Sequence, residues 1–232
     1  HGAALRSDGT VVAWGDNAFG QCNVTPPPPG LTYVQVSAGN INTLALRSDG
    51  AVDGWGDFFA AIAPPLPLGL TYVQVSAGQF ATSAALRSDG SIVVWGSLNC
   101  SFCVAPTLPP GLTYVKVATG TFHIAALRSD GTVVAWGDNA FGQCNVAPPP
   151  PGLTYVDVAV GKSTTFARRS NGSLAAWGGN GFGQQLVPNP PSGLPLGGLT
   201  YVEIAGGEVH SLARRSDGSV VAWGWNGSGQ NN

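Results

Sequence analysis

The sequence predicts an all-β fold, a β-propeller of about six four-stranded blades with the first blade incomplete at the N-terminus, and three observations carry that prediction. The tripeptide Ser-Asp-Gly returns at Ser7, Ser48, Ser88, Ser129 and Ser216, with Ser170-Asn171-Gly172 as a sixth copy, at steps of 41, 40, 41, 41 and 46 residues. Each copy is followed by an apolar stretch ending in Trp-Gly, at Trp14, Trp55, Trp95, Trp136, Trp177 and Trp223. Five are preceded by Gly-Leu-Thr-Tyr-Val, beginning at Gly30, Gly69, Gly111, Gly152 and Gly198. A period near 40 suits a four-stranded blade, and such a unit cannot bury its faces without neighbours. The repeats therefore divide one domain, 1–232, into 1–29 (partial), 30–68, 69–110, 111–151, 152–197 and 198–232.

Within the second repeat, residues 31–38 alternate, with Val34, Val36 and Ala38 on one face and Tyr33, Gln35 and Ser37 on the other, as a strand requires. This is strand A. Residues 44–47 make strand B, and Ser48-Asp49-Gly50 closes a hairpin because Asp tolerates turn geometry and Gly supplies the positive φ. Strand C is clearest at 132–136, after which 137–144 turns towards a proline-rich stretch at 148–151. Proline cannot donate to a ladder, so this stretch belongs on the outer rim. The first repeat lacks strand A, and a segment upstream of His1 is expected to complete it. With 34 glycines and 18 prolines among recurring Val, Tyr and Trp, helices should be nearly absent.

Charge excludes several function classes. The 10 basic and 12 acidic side chains leave a net charge of -2, so there is no broad basic surface to gather phosphate backbones and no nucleic-acid partner is expected. No apolar run approaches the ~18 residues of a membrane span. The aspartates of Ser-Asp-Gly are turn formers spread over equivalent places and cannot form a close carboxylate pair for acid-base work. No nucleophile, base and orienting group stand together, no phosphate-binding glycine loop is present, and no cofactor or metal is expected.

Four sets of positions are candidate sites. Phe19, Phe141 and Phe182 fall five residues after their tryptophans, and the same variable loops carry Phe58, Phe59, Trp225 and the stretch 97–99. Loops on a rigid frame are where recognition usually resides, and planar rings there would stack on peptides or sugars. The same rings would alternatively plug the cleft between blades. Inside strand A, Gln35, Gln74, Lys116, Asp157 and Glu203 share one place and would line a central channel, as a ligand ring or as a wet lining. Four residues before the strand B leucine or its equivalent stand His1, Asn42, Thr82, His123, Thr164 and His210. These read either as a polar ring facing a ligand or, more commonly, as side chains bonded to their own A-to-B turn. Cys22, Cys103 and Cys144 share a repeat position and Cys100 is extra. The Cys100 and Cys103 pair makes neither a complete zinc site nor a thioredoxin-like one; joined, it would suit an oxidising compartment, and reduced, a reducing one.

The order Val-x-Val, His, Ala-Leu-x-x-Asp-Gly, Trp-Gly-Asp-Asn-x-x-Gly-Gln at 115–143 resembles the repeats of the regulator of chromosome condensation family, and the resemblance covers nearly the whole chain. It implies a propeller. The best-known members have seven blades, and some catalyse nucleotide exchange on a small GTPase. This chain departs from them: it has about six units, Cys22 or Cys144 follows its Gly-Gln in place of the usual Leu-Gly, and no long element is inserted between repeats. Exchange activity is therefore not carried over. The reading is a non-enzymatic scaffold that binds a protein through one face. The alternative is a multivalent lectin-like module, suggested by the identity of 4–24 and 126–146 and weakened by the unequal loops. Such similar copies also make self-assembly a possibility.

Overall fold

The computed structural model describes residues 1–79, 82–96, 104–188, 198–229 and 231, and its chain divides into two compact units, His1–Thr121 and Phe122–Asn232. The first holds β1 (Gly2–Leu5) paired with β2 (Val11–Trp14), then the sheets β3 (Tyr33–Ala38), β4 (Asn42–Arg47), β5 (Val52–Gly56) and β6 (Tyr72–Ala77), β7 (Thr82–Arg87), β8 (Ile92–Gly96), and ends with β9 (Tyr114–Thr119). A four-residue helix, α1 (Phe58–Ala61), follows β5. The second unit holds β10 (His123–Arg128) paired with β11 (Val133–Gly137), then β12 (Tyr155–Val160), β13 (Thr164–Arg169), β14 (Leu174–Gly178) and β15 (Tyr201–Gly206), β16 (His210–Arg215), β17 (Val220–Gly224). Each complete sheet is an antiparallel meander with strand B in the middle. Among the described residues no helix is long and apolar enough to cross a membrane.

Among the described residues the expected fourth strand is absent: the complete sheets have three strands each. After Trp-Gly the chain runs through turns and irregular backbone, because prolines such as 26–29 and 148–151 have no N–H to give a ladder. Its carbonyls are used instead by the repeated tyrosine, whose hydroxyl donates to Pro64 O from Tyr72 and to Pro106 O from Tyr114, both at 2.7 Å, and to Ala147 O from Tyr155 at 3.1 Å. The proline stretch is thus pinned by a side chain.

The alternation in strand A also needs correcting. Tyr33 pairs with Arg47 but Gln35 with Leu46, so Val34 is a bulge, and parity reverses there. Tyr33 is buried beside Val36 and Trp55 while Val34 is 51% exposed, the opposite of strict alternation. The same shift recurs at Tyr72, Tyr155 and Tyr201.

The apolar cores lie between consecutive sheets. In the first unit Leu44 and Leu46 of one sheet meet Tyr72, Val75, Ala85 and Trp95 of the next; in the second, Phe166 meets Tyr201, Ile204 and Trp223. The two signature motifs interlock at the hairpin. Gly50, at φ +81°, lies under Thr71 of the following repeat, where an added Cβ would come within 2.5 Å of the threonine, and its carbonyl accepts from Tyr72 N at 2.8 Å. Glycine is needed there for its φ and for that close approach.

Neighbouring A strands are tied by side chains that read backbone. Gln35 donates its amide to Val75 O (3.1 Å) and accepts from Val75 N (2.9 Å); Gln74 does the same to Val117, at 2.9 Å both ways. Ser37 accepts from Ala77 N at 2.9 Å and Ser76 from Thr119 N at 3.0 Å. Two of the positions expected to line a channel are therefore inter-sheet clamps. Gln74→Ala leaves the N–H and C=O of the buried Val117 unpaired and is expected to cost about 2 kcal/mol in urea unfolding. An unchanged unfolding midpoint would contradict the clamp.

Candidate functional site

The loop after Trp-Gly is a small hydrogen-bonded cage, and its residue types follow from the bonds it makes. In the first repeat Gln21 accepts from Phe19 N (2.9 Å) and donates to Asp16 (3.0 Å), Asn17 accepts from Cys22 N (2.7 Å) and donates to Asn23 (2.9 Å), and Asp16 accepts from Ala18 N (3.2 Å). The fourth repeat reproduces the cage through Asp138, Asn139, Gln143 and Asn145, and Gln184 and Asn180 keep its main bonds in the fifth. Gln21 and Gln143 are fully buried, and their backbone carbonyls accept from Thr43 and Thr165 of the next sheet, at 2.8 Å each. These glutamines, not the phenylalanines, fill the cleft. Sequence reasoning missed their role, although the recurring Gly-Gln carried the signal.

The rings are pushed outward by that arrangement. Phe19 is 54% exposed, Phe141 63% and Phe182 53%, which removes the plug reading. In the second repeat the cage gives way to α1, capped by Asp57, which accepts from Phe59 N at 3.1 Å. There Ala60 O takes over the buried acceptor's task, receiving Ser83 Oγ (2.8 Å), Trp95 Nε1 (3.0 Å) and Asn42 Nδ2 (3.3 Å), while Phe58 and Phe59 face solvent. In the sixth, Trp225 packs edge-on against Phe182 at 6.5 Å, so two repeats join in one exposed aromatic patch. The stretch 97–99, with Cys100 and Cys103, lies outside the described residues.

The polar ring before strand B serves the next sheet as well. His1 Nε2 lies 2.8 Å from Thr43 Oγ1, His123 Nε2 2.9 Å from Thr165 Oγ1, and Asn42 Nδ2 donates to Ser83 Oγ at 3.0 Å. These three bond a neighbouring sheet, not their own turn. Thr164 donates to Gly179 O at 3.1 Å, Thr82 is buried, and the ring of His210 lies over Gly207, whose added Cβ would meet it at 2.7 Å. Each threonine hydroxyl has a single proton, already given to Gln21 O or Gln143 O, so His1 and His123 donate through Nε2–H. Burial of His123 outweighs the nearby Asp138 carboxylate and lowers its pKa to about 4.

The other candidates are engaged in local structure. Asp157 accepts from Val158 N at 2.8 Å and lies 4.0 Å from Arg168, and Glu203 pairs with Arg214 at 3.0 Å; Lys116 holds the same register position on β9. Cys22 and Cys144 are free thiols that donate to Asp16 O and Asp138 O at 3.3 Å, and burial, reinforced by Asp138, pushes the Cys144 thiol up to about 11. Such a thiol is a poor nucleophile. Among the described residues no three His, Cys, Asp or Glu side chains gather as a metal-ligand set.

Comparison with known structures agrees with this repeat geometry. The chain is similar to Prp20p from Saccharomyces cerevisiae, studied with its binding to Gsp1p and histones, with a TM-score of 0.80 at 22% identity, covering 97% of this chain and 69% of that one. It is similar to yeast RCC1 (Prp20) bound to Kap60, with a TM-score of 0.79 at 21% identity over 97% and 68%. It also resembles the ectodomain of the Physcomitrella patens receptor kinase CR4, with a TM-score of 0.73 at 21% identity over 97% and 60%. At these identities the likeness establishes the fold alone. No curated protein matches at the level of sequence. The family model described as the regulator of chromosome condensation (RCC1) repeat matches residues 1–21, 114–143, 155–184 and 201–230. Those segments hold Gln21, Gln143 and Gln184 of the cages, four of the Trp-Gly strands and four positions of the polar ring just described, and in them the chain carries the regulator of chromosome condensation repeat.

Proposed function

We propose that the chain is a non-enzymatic protein-binding scaffold, a propeller of about six blades that uses the loops after Trp-Gly as its contact surface. The observation that carries this reading is the set of exposed rings, Phe19, Phe58, Phe59, Phe141, Phe182 and Trp225, held out by loops whose polar groups are already satisfied. Aromatic anchors on pre-ordered backbone lose little entropy on binding and supply most of an interface's free energy. Prp20p, of the same fold, binds proteins, Gsp1p and histones, which supports a protein as the partner class. The low net charge favours an apolar and hydrogen-bonded contact over an electrostatic one.

Short random peptides selected by display against the folded chain, then titrated by calorimetry, test this. Saturable binding is expected, weakened about tenfold or more in the combined variant Phe19→Ser, Phe141→Ser, Phe182→Ser. Its thermal stability should be nearly unchanged because all three rings are more than half exposed. Peptides that bind the variant equally well would remove the loop surface from the function. Saturable glycan binding on an array, lost in the same variant, would replace the protein partner with a carbohydrate.

A further inference from the structure

The second repeat departs from the others at one place that the loop surface does not use. Strand C carries Val12, Val93, Val134, Ala175 and Val221 at equivalent positions, but Asp53 in β5, followed by Gly54. Gly54 admits the chain leaving α1, since a Cβ there would lie 2.0 Å from Ala61 O. That passage opens a groove of about 590 Å³, walled by Trp55, Ile62 and prolines 26–29, with Asp53 and Arg47 in its lining. Its size falls within the usual range of ligand sites.

The charge in this groove is not needed to hold the fold. Arg47 is already gripped in two-pronged fashion by Asp49, Nε to Oδ1 at 3.1 Å and Nη2 to Oδ2 at 2.7 Å. Asp53 adds a second carboxylate, 3.2 Å from Arg47 Nη1. The equivalent Arg169 bonds neutral groups, Ser173 Oγ at 3.1 Å and Leu174 O at 3.0 Å. Among the described residues the other oxygen of Asp53 accepts from a neutral phenol, Tyr33, at 2.9 Å, and the tyrosine is drawn from its usual carbonyl partner, now 3.3 Å away at Thr25. Two carboxylates against one guanidinium leave one negative charge, and the Asp53 side chain is 30% exposed. A carboxylate oxygen accepts two hydrogen bonds, so each oxygen of Asp53 retains capacity for a donor.

We propose that this groove binds an arginine side chain presented by an extended segment of a partner protein, with the guanidinium on Asp53 and its plane against Trp55. A planar, weakly hydrated cation that donates in a fork fits a carboxylate beside an indole better than a compact ammonium does. The prolines form a rigid apolar wall for the flanking chain at little entropic cost. This site is separate from the loop tips and stands or falls independently of them.

The test is an amide-resolved NMR titration of the whole chain with acetyl-Pro-Arg-Pro-amide, beside the same peptide carrying neutral citrulline. Saturable amide shifts confined to Thr25, 47–55 and 61–63 are expected, with the citrulline peptide at least tenfold weaker. Asp53→Val restores the residue of the other repeats, so it should fold, and it should lose the preference for arginine; Asp53→Asn gives the same result with the shape kept. The combined phenylalanine variant should bind the arginine peptide unchanged. Equal binding of citrulline, shifts that never saturate or lie elsewhere, or arginine binding retained in Asp53→Val would overturn the proposal.

Discussion

Phe166→Ala should lower the free energy of unfolding by about 4 kcal/mol. The ring is completely buried in β13, its centroid 6.1 Å from that of Trp223 at 86°, with Ala159, Tyr201, Ile204 and Ala213 around it. The backbone itself accepts alanine, because Ala84 and Ala125 occupy the same place in other repeats and are equally buried. The cost is therefore the lost transfer energy plus the void beside Trp223, and not strain. Leu44 holds this position in the second repeat, so Phe166→Leu should cost less than about 1.5 kcal/mol. Urea unfolding at constant m-value measures both. A loss below about 1 kcal/mol for alanine would show that the neighbouring sheets close over the gap.

The second large effect is on pH dependence, and its sign follows from His123. The folded ring has a pKa of about 4 against 6.5 unperturbed. Its Nε2–H is committed to Thr165, and buried Nδ1 has no acceptor among the described residues to receive a second proton's bond. Between pH 6.5 and about 4 the unfolded chain binds a proton that the folded chain refuses, so stability is full above pH 6.5 and falls as the pH drops. The loss should reach about 2 kcal/mol at pH 5 and about 3 kcal/mol near pH 4. The hairpin aspartates Asp8, Asp49, Asp89, Asp130 and Asp217 are held below their usual 3.8, chiefly by hydrogen bonds to the side chain of a neighbour, so their loss of stability begins only below that window. His123→Asn retains a donor, as Asn42 does toward Ser83, and should flatten the slope between pH 5 and 7. An unaltered slope would place the titration elsewhere.

Strands A, B and C were legible because repeat spacing and turn chemistry are local properties. The number of strands per sheet was not, since a period near 40 does not say that the prolines after Trp-Gly leave the ladder. Parity in strand A was not: the bulge at Val34 depends on its pairing with Arg47 and Leu46, which no reading of residues 31–38 alone contains. The same reason hid the work of Gln35 and Gln74, whose partners lie 40 and 43 residues away. In the loops, isolated phenylalanines among polar residues pointed to the exposed surface, whereas the buried glutamines looked like ordinary polar loop residues. Their role depends on a cleft that exists only once the following sheet is in place. Asp53 was passed over because a single substitution within a repeat carries no meaning until the neighbouring chain shows the groove it faces.

The clamps at Gln35 and Gln74 grip a main-chain N–H and C=O, groups that every residue but proline possesses. Such a contact places no condition on the side chains of the sheet it holds. A newly duplicated copy of the repeat would meet its neighbour through bonds that already fit, without compensating change on either side. The unequal loops of this chain and its identical segments at 4–24 and 126–146 are then compatible outcomes of one history. Copies can be added by gene duplication while their outward residues diverge, because the joint between them is indifferent to that divergence.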